Sequence, residues 1–200
     1  MKIVKATDKD KDVLAAFLPT NVEAGGEYDS LPCSAEYALG EYVCKGNDIY
    51  LVTDPVDVSP EDAVLYTSDN GATEVLAGVI TVVHPKAVMF SRKGHSIYPK
   101  VRTMRLVVAP QYKAMVSMML MLKDFVEHVV FCGIPYRTLW LPQSNEDDPT
   151  CEMFCQSVTN SDLATGYLTQ KEAEVAGYCI DLRCGHYIAK AMKRLAEKEG

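Results

Sequence analysis

Residues 102–132 read RTMRLVVAPQYKAMVSMMLMLKDFVEHVVFC, a short apolar strand that passes through a proline turn into a long apolar helix. Leu106, Val107 and Val108 form a β-branched-rich run ended by Ala109 and Pro110. Proline suits such a switch, because it presets φ and needs no amide donor at a helix start. From Met115 to Phe131 apolar residues recur so densely that the helix is expected to be covered on most of its girth, with Lys123, Asp124, Glu127 and His128 on its wetter side. The rest of the chain is expected to pack around this core helix.

Before this stretch, Asp48 to Pro85 has the texture of strands: IYLVT, AVLYTS and TEVLAGVITVV, the last two separated by Asp69-Asn70-Gly71. Asn70-Gly71 between apolar runs signals a hairpin, so these strands are expected to be antiparallel, with Gly78 marking a bulge. Nearer the N-terminus, Lys2 to Ala6 reads as a strand. Lys9 to Leu18 reads as a helix capped by Thr7 or Asp8 and ended by Pro19. A loop with Gly25, Gly26 and Pro32 precedes a second helix from Ser34 to Tyr42. After the long helix, Gly133-Ile134-Pro135 is a stop, Arg137 to Leu141 a strand, Cys151 to Val158 a short helix, Glu174 to Leu182 a last strand and His186 to Glu199 a final helix. This order specifies a mixed α/β (α+β) domain around one mostly antiparallel sheet over residues 1–182, with a helical extension over residues 183–200.

Composition narrows the partners. Two hundred residues at 48% hydrophobic content suffice for one sizeable core, and 20 basic against 27 acidic residues argue against nucleic acid as a partner. The apolar run from Ala114 to Leu122 stops at Lys123-Asp124, short of the roughly 20 residues a membrane span needs. The start MKIVKATDKD has no apolar signal core. A soluble, cytoplasmic protein without membrane attachment is expected. Seven cysteines without a CxxC pair fit reduced thiols, most of them small core residues. Cys151, Cys155, Cys179, Cys184 and His186 have the chemistry of zinc ligands but no compact knuckle spacing, so no metal is assigned.

The element order over roughly Met1 to Leu182, together with Val108-Ala109-Pro110-Gln111-Tyr112-Lys113 leading into an apolar helix with Leu120 and Leu122 in phase, resembles the GNAT-type N-acyltransferase superfamily. The resemblance implies a GNAT-like sheet flanked by helices, acetyl-CoA or another acyl-CoA as co-substrate, and a small-molecule or protein amine as acceptor. In that family a strand ending in V-x-P leads to a loop of the form Arg or Gln-x-x-Gly-x-Gly or Ala, whose amides hold the acyl-CoA diphosphate at a helix N-terminus. Unpaired first-turn amides and the helix dipole both favour an anion there.

Carried onto this chain, the loop covers Gln111, Lys113, Ala114, Met115, Val116, Ser117 and Met118, and the main chain of Leu106, Val107 and Val108 would pair with the pantetheine arm. With Lys113 in the place of the family's Arg, Val116 and Met118 stand where glycine and a small residue are expected. With Gln111 starting the motif, Ala114 and Val116 stand there. Asn145 follows its strand as the family's asparagine often does. Cys151-Glu-Met-Phe154-Cys155 resembles the Ala-x-x-Phe-Tyr helix and places Cys155 where the family's tyrosine reprotonates the CoA thiolate. Candidate bases are Glu74 and His84, with Glu27 and Asp29 from the loop. A thiol near its reference pKa of about 8.5 has a proton to give at neutral pH, while the plain alternative for Cys155 is a buried structural cysteine. The second functional reading is a GNAT-like fold that no longer catalyses and serves as a binding or assembly module, with homo-oligomer contacts through HYIAKAMKRLAEKE.

Overall fold

The computed structural model describes residues 1–21, 47–55, 62–83, 101–136, 138–142 and 177–182. In chain order the elements are β1 (Lys2–Lys5), α1 (Lys11–Asn21), β2 (Asp48–Asp54), β3 (Leu65–Thr67), β4 (Thr73–Val83), β5 (Val101–Val108), α2 (Met115–Phe131), β6 (Thr138–Pro142) and β7 (Gly177–Asp181). Short 3-10 turns at Asp8–Asp10 and Pro110–Tyr112 lead into α1 and α2. The chain divides into two compact units, Met1–Val83 with Arg105–Met121 and His84–Met104 with Leu122–Gly200. Both β5 and α2 contribute residues to each.

In the first unit the strand order is β1-β2-β4-β5, with β3 also on β4. β1, β2 and β3 join it antiparallel. Leu14, Phe17 and Leu18 of α1 form a buried cluster with Ile49 and Leu51 of β2, Leu76 and Val79 of β4, and Val107 of β5. The intervening residues Tyr50, Val52, Ile80 and Val82 are buried too, so the sheet is covered on both faces. Residue Val52 pairs with Gly78 but its neighbour Thr53 pairs with Leu76, which leaves Ala77 as the extra residue of a bulge. The carbonyl of Ala77 accepts the N–H of Ala109 at 2.9 Å, tying the end of β5 to β4. At Gly78 an added Cβ would lie 3.0 Å from the Val107 carbonyl oxygen and 3.2 Å from the Met121 sulfur.

The hairpin before β4 is closed by Ser68 donating to Ala72 at 2.9 Å and Gly71 donating to Ser68 at 2.8 Å, with Gly71 at φ +82. Its loop is therefore one residue longer than the two-residue turn that Asn70-Gly71 suggests. Helix α1 does not end at Pro19 as expected but runs through it to Asn21. Proline removes one backbone donor, and the Asn21 side-chain amide donates to the Phe17 carbonyl at 2.7 Å, satisfying an acceptor near the helix end.

In the second unit β6 lies parallel to β5, from Val101↔Thr138 to Thr103↔Trp140, and β7 lies antiparallel to β6. A parallel pair needs a long crossover, and α2 is that crossover. Gly133, at φ +65, donates to Val130 while Ile134 donates to Val129 at 3.0 Å, the paired bonds of a glycine-terminated helix. Arg102 then stacks 4.8 Å from the Tyr136 ring centroid and donates to the Pro135 carbonyl at 3.3 Å, fixing the return to β6.

The result is a mixed, mostly antiparallel α+β sheet with helices, as the sequence specifies. Helix α2 is covered on most of its girth, as expected: Met121, Leu122, Phe125, Val126 and Val129 are buried, and the exposed residues lie on one stripe that carries Val116, Leu120 and Phe131 beside the expected Lys123 and Glu127. Cys132, at the end of that helix, is exposed. Among the described residues no helix is long and apolar enough to cross a membrane, and no group of His, Cys, Asp or Glu has the makings of a metal site. The helices expected at Ser34–Tyr42 and Cys151–Val158 and the extension at residues 183–200 lie outside the described residues.

One buried polar atom tests the packing of β4. Among the described residues the Thr81 hydroxyl is buried without a hydrogen-bond partner. Replacing it by an isosteric apolar group removes an unpaid desolvation penalty, so Thr81→Val is expected to raise unfolding free energy by about 1 kcal/mol in urea titrations.

Candidate functional site

The site is built on the passage from β5 into α2. Ala109 is held to β4 by its N–H, the amides of Tyr112 and Lys113 donate back to Ala109 at 2.9 Å and Pro110 at 3.2 Å, and the helix starts two residues later. The Met118 N–H donates to the Ala114 carbonyl at 3.1 Å, which makes Ala114 the N-cap of α2. The amides of Met115, Val116 and Ser117 therefore have no acceptor within the helix. Ala114 has no side-chain oxygen to cap them, and the first turn of α2 contains no acidic residue. Among the described residues these three N–H groups, at the positive end of a helix dipole, have no acceptor, and an anion is the acceptor that end favours.

Around them, Gln111, Lys113 and Ala114 are exposed, while Met115, Ser117 and Met118 are half-buried. Val116 is 70% exposed, so the side chain standing where a glycine is expected lies against solvent rather than in the core. Upstream, Leu106 is half-buried and Val107 and Val108 are buried. Among the described residues the ladder between β5 and β6 ends at Thr103↔Trp140, so Leu106 to Val108 lie beyond its last pair.

Of the residues expected to carry chemistry, Glu74 is described and His84, Asn145 and Cys155 lie outside the described residues, as do Glu27 and Asp29. Glu74 sits on β4 at 4% exposure, forms an ion pair with Lys2 of β1 and accepts the Thr53 hydroxyl of β2 at 2.5 Å. These bonds, Lys2 first and Thr53 second, hold its carboxyl below the usual carboxylate range against the opposing effect of burial. Such a carboxylate ties three strands together and is a weak proton acceptor. Its pKa is lowered on folding, so its contribution to stability is complete above the unfolded pKa and disappears as pH falls through the folded one. Urea unfolding of wild type and Glu74→Gln is thus expected to show the larger wild-type advantage at pH 7, shrinking as pH falls below about 4.

A contact not expected from the sequence lies directly behind the helix start. The Tyr112 hydroxyl donates to Asp54 Oδ2, at the end of β2, at 2.9 Å. Burial, and then the bond to Asp54, push the phenol up to about 12. Both residues were visible, but they are 58 positions apart, and only the sheet register brings them together.

No protein-family model matches the chain, and no curated protein matches it in sequence. Its fold does match solved structures. Two chimeras of the spermidine N-acetyltransferase SpeG from Vibrio cholerae and hSSAT superpose with TM-scores of 0.52 and 0.51. The first is 8% identical, with 92% of this chain and 99% of that chain covered. The second is 9% identical, with 92% and 96% covered. The chain has the GNAT fold.

Proposed function

We propose that this protein is a GNAT-type N-acyltransferase that takes an acyl group from acetyl-CoA or another acyl-CoA and passes it to an amine, with the amides of Met115, Val116 and Ser117 receiving the diphosphate. The observation that carries this reading is the uncapped, carboxylate-free start of α2, placed at the strand-turn-helix passage of a GNAT fold. Lys113, exposed, adds a positive charge at the same end. Main-chain groups of Leu106 to Val108, beyond the last β5–β6 pair, would pair with the extended pantetheine arm in the manner of an added strand.

In the transfer, the neutral amine attacks the thioester carbonyl, the C–S bond breaks, the amine proton passes to a base, and the CoA thiolate takes up a proton. Glu74, ionised and engaged with Lys2 and Thr53, is suited to holding strands rather than to accepting that proton. The base is then one of His84, Glu27 and Asp29, and we assign the proton donor to Cys155 and a CoA contact to Asn145. We also keep residues 1–182 as the transferase domain and residues 183–200 as an extension for self-association, and we read the protein as cytoplasmic, without nucleic-acid or membrane partners.

Val116 and Met118 in place of glycine and a small residue favour a second reading, a GNAT fold used for binding or assembly without catalysis. Thermal unfolding with acetyl-CoA separates the two. A ligand that binds only the native state adds about 2.7 kcal/mol at a hundredfold excess over its Kd, enough to raise Tm by several degrees. No shift at millimolar acetyl-CoA or longer acyl-CoAs supports the non-catalytic module.

A further inference from the structure

We propose that the Tyr112–Asp54 hydrogen bond is a positioning device for the anion cradle at the start of α2, and that acyl-CoA affinity depends on it; this rests on the reading of that cradle as the diphosphate site. The geometry is specific. Tyr112 is the last residue of the 3-10 turn between β5 and α2, and its N–H donates to the Ala109 carbonyl at 2.9 Å. Its side chain packs against the buried cluster under α1, and its hydroxyl reaches Asp54 at the end of β2, 2.9 Å away. Asp54 is fixed in turn by its register with Val75 of β4. The turn is thus held at one end by the Ala109–Ala77 bond to β4 and at the other by a side-chain bond to β2.

From Tyr112 to Met115 the chain advances three residues, a reach of at most about 10 Å, so any swing of the turn moves the first uncapped amide directly. Amides that receive a diphosphate contribute most when they are already aimed, because the ligand then spends none of its binding energy on ordering them. A phenol donating to an ionised carboxylate is a charge-assisted bond, roughly twice as strong as a neutral one, which suits it to fixing a short, exposed turn. With its ionisation pushed up to about 12, the phenol keeps its proton at every working pH. The bond touches neither the ligand nor the reacting atoms, so Tyr112 and Asp54 are positioning residues.

The test is the Kd of CoA, by calorimetry, for wild type, Tyr112→Phe, Asp54→Ala, Asp54→Asn and the Phe/Ala double variant, all well below each variant's Tm. Each of Tyr112→Phe and Asp54→Ala is expected to weaken CoA about tenfold, the double variant no further than either single, and Asp54→Asn, which keeps an oxygen acceptor for the phenol, is expected to recover most of the loss. A merely structural bond lowers Tm and leaves Kd where it was. Wild-type binding with an unchanged Kd in Tyr112→Phe, or fully additive losses in the double variant, overturns the positioning role and leaves the acyl-CoA reading standing. Failure of wild type itself to bind CoA overturns both.

Discussion

Ala114→Asp is expected to make the protein more stable and, at the same time, about a hundredfold weaker for acyl-CoA. Ala114 is the N-cap of α2, shown by its carbonyl accepting the Met118 N–H, and it has no side-chain acceptor for the amides that follow. Aspartate there bonds the N–H of Val116 or Ser117 and places a negative charge at the positive end of the helix. Replacing an alanine N-cap by aspartate typically stabilises by about 1 kcal/mol. A diphosphate then has to displace that carboxylate and approach it against like charge. A hundredfold loss corresponds to about 2.7 kcal/mol, a reasonable sum for one occupied donor and one added repulsion. The opposite signs give the prediction its force: chemical unfolding and CoA titration of the same variant must move in opposite directions. A variant that is stabilised yet binds CoA as wild type does would place the diphosphate elsewhere.

Gly78→Val is expected to cost about 3 kcal/mol or more, the upper part of the range for forced overpacking. A single Cβ would already sit 3.0 Å from the Val107 carbonyl oxygen, which is backbone and cannot turn aside. The 3.2 Å contact to the Met121 sulfur is softer, because a methionine can change rotamer. Gly78→Ala brings one carbon against both contacts and should lose less than valine, which adds two methyls to a position without room for the first carbon. Urea unfolding of the three proteins gives the ranking. An alanine variant as stable as wild type would mean that β4 and β5 can part without cost beside the bulge at Ala77.

Much of this architecture is legible in local patterns. The β-branched run before Pro110 became β5, and the dense apolar run from Met115 became a helix ending at Phe131, closed by Gly133. Proline and glycine act through their own backbone restrictions, and such signals do not depend on distant residues. Gly71 and Gly78 likewise announce a turn and a bulge. What hydropathy does not convey is what lies opposite a side chain. Val116, Leu120 and Phe131 are as apolar as their buried neighbours and are nevertheless exposed. Pro19 is similar, because the cost of its missing donor falls near a helix end where Asn21 supplies a side-chain bond.

The candidate site divides the same way. The start of α2 is readable because it is contiguous, and its lack of an N-capping side chain is visible in the residue at position 114. Glu74 is different: as a lone acidic residue on a strand it resembles a candidate base, and its engagement by Lys2 and Thr53 depends on the register of three strands. Tyr112 and Asp54 escape notice for the same reason.

The central claim, that the first amides of α2 take the diphosphate of an acyl-CoA, is tested most directly by following backbone amide resonances of the whole protein during a CoA titration. The account predicts that Met115, Val116 and Ser117 shift with CoA and not with pantetheine, which lacks the diphosphate. Saturation by CoA with those three amides unmoved would contradict it.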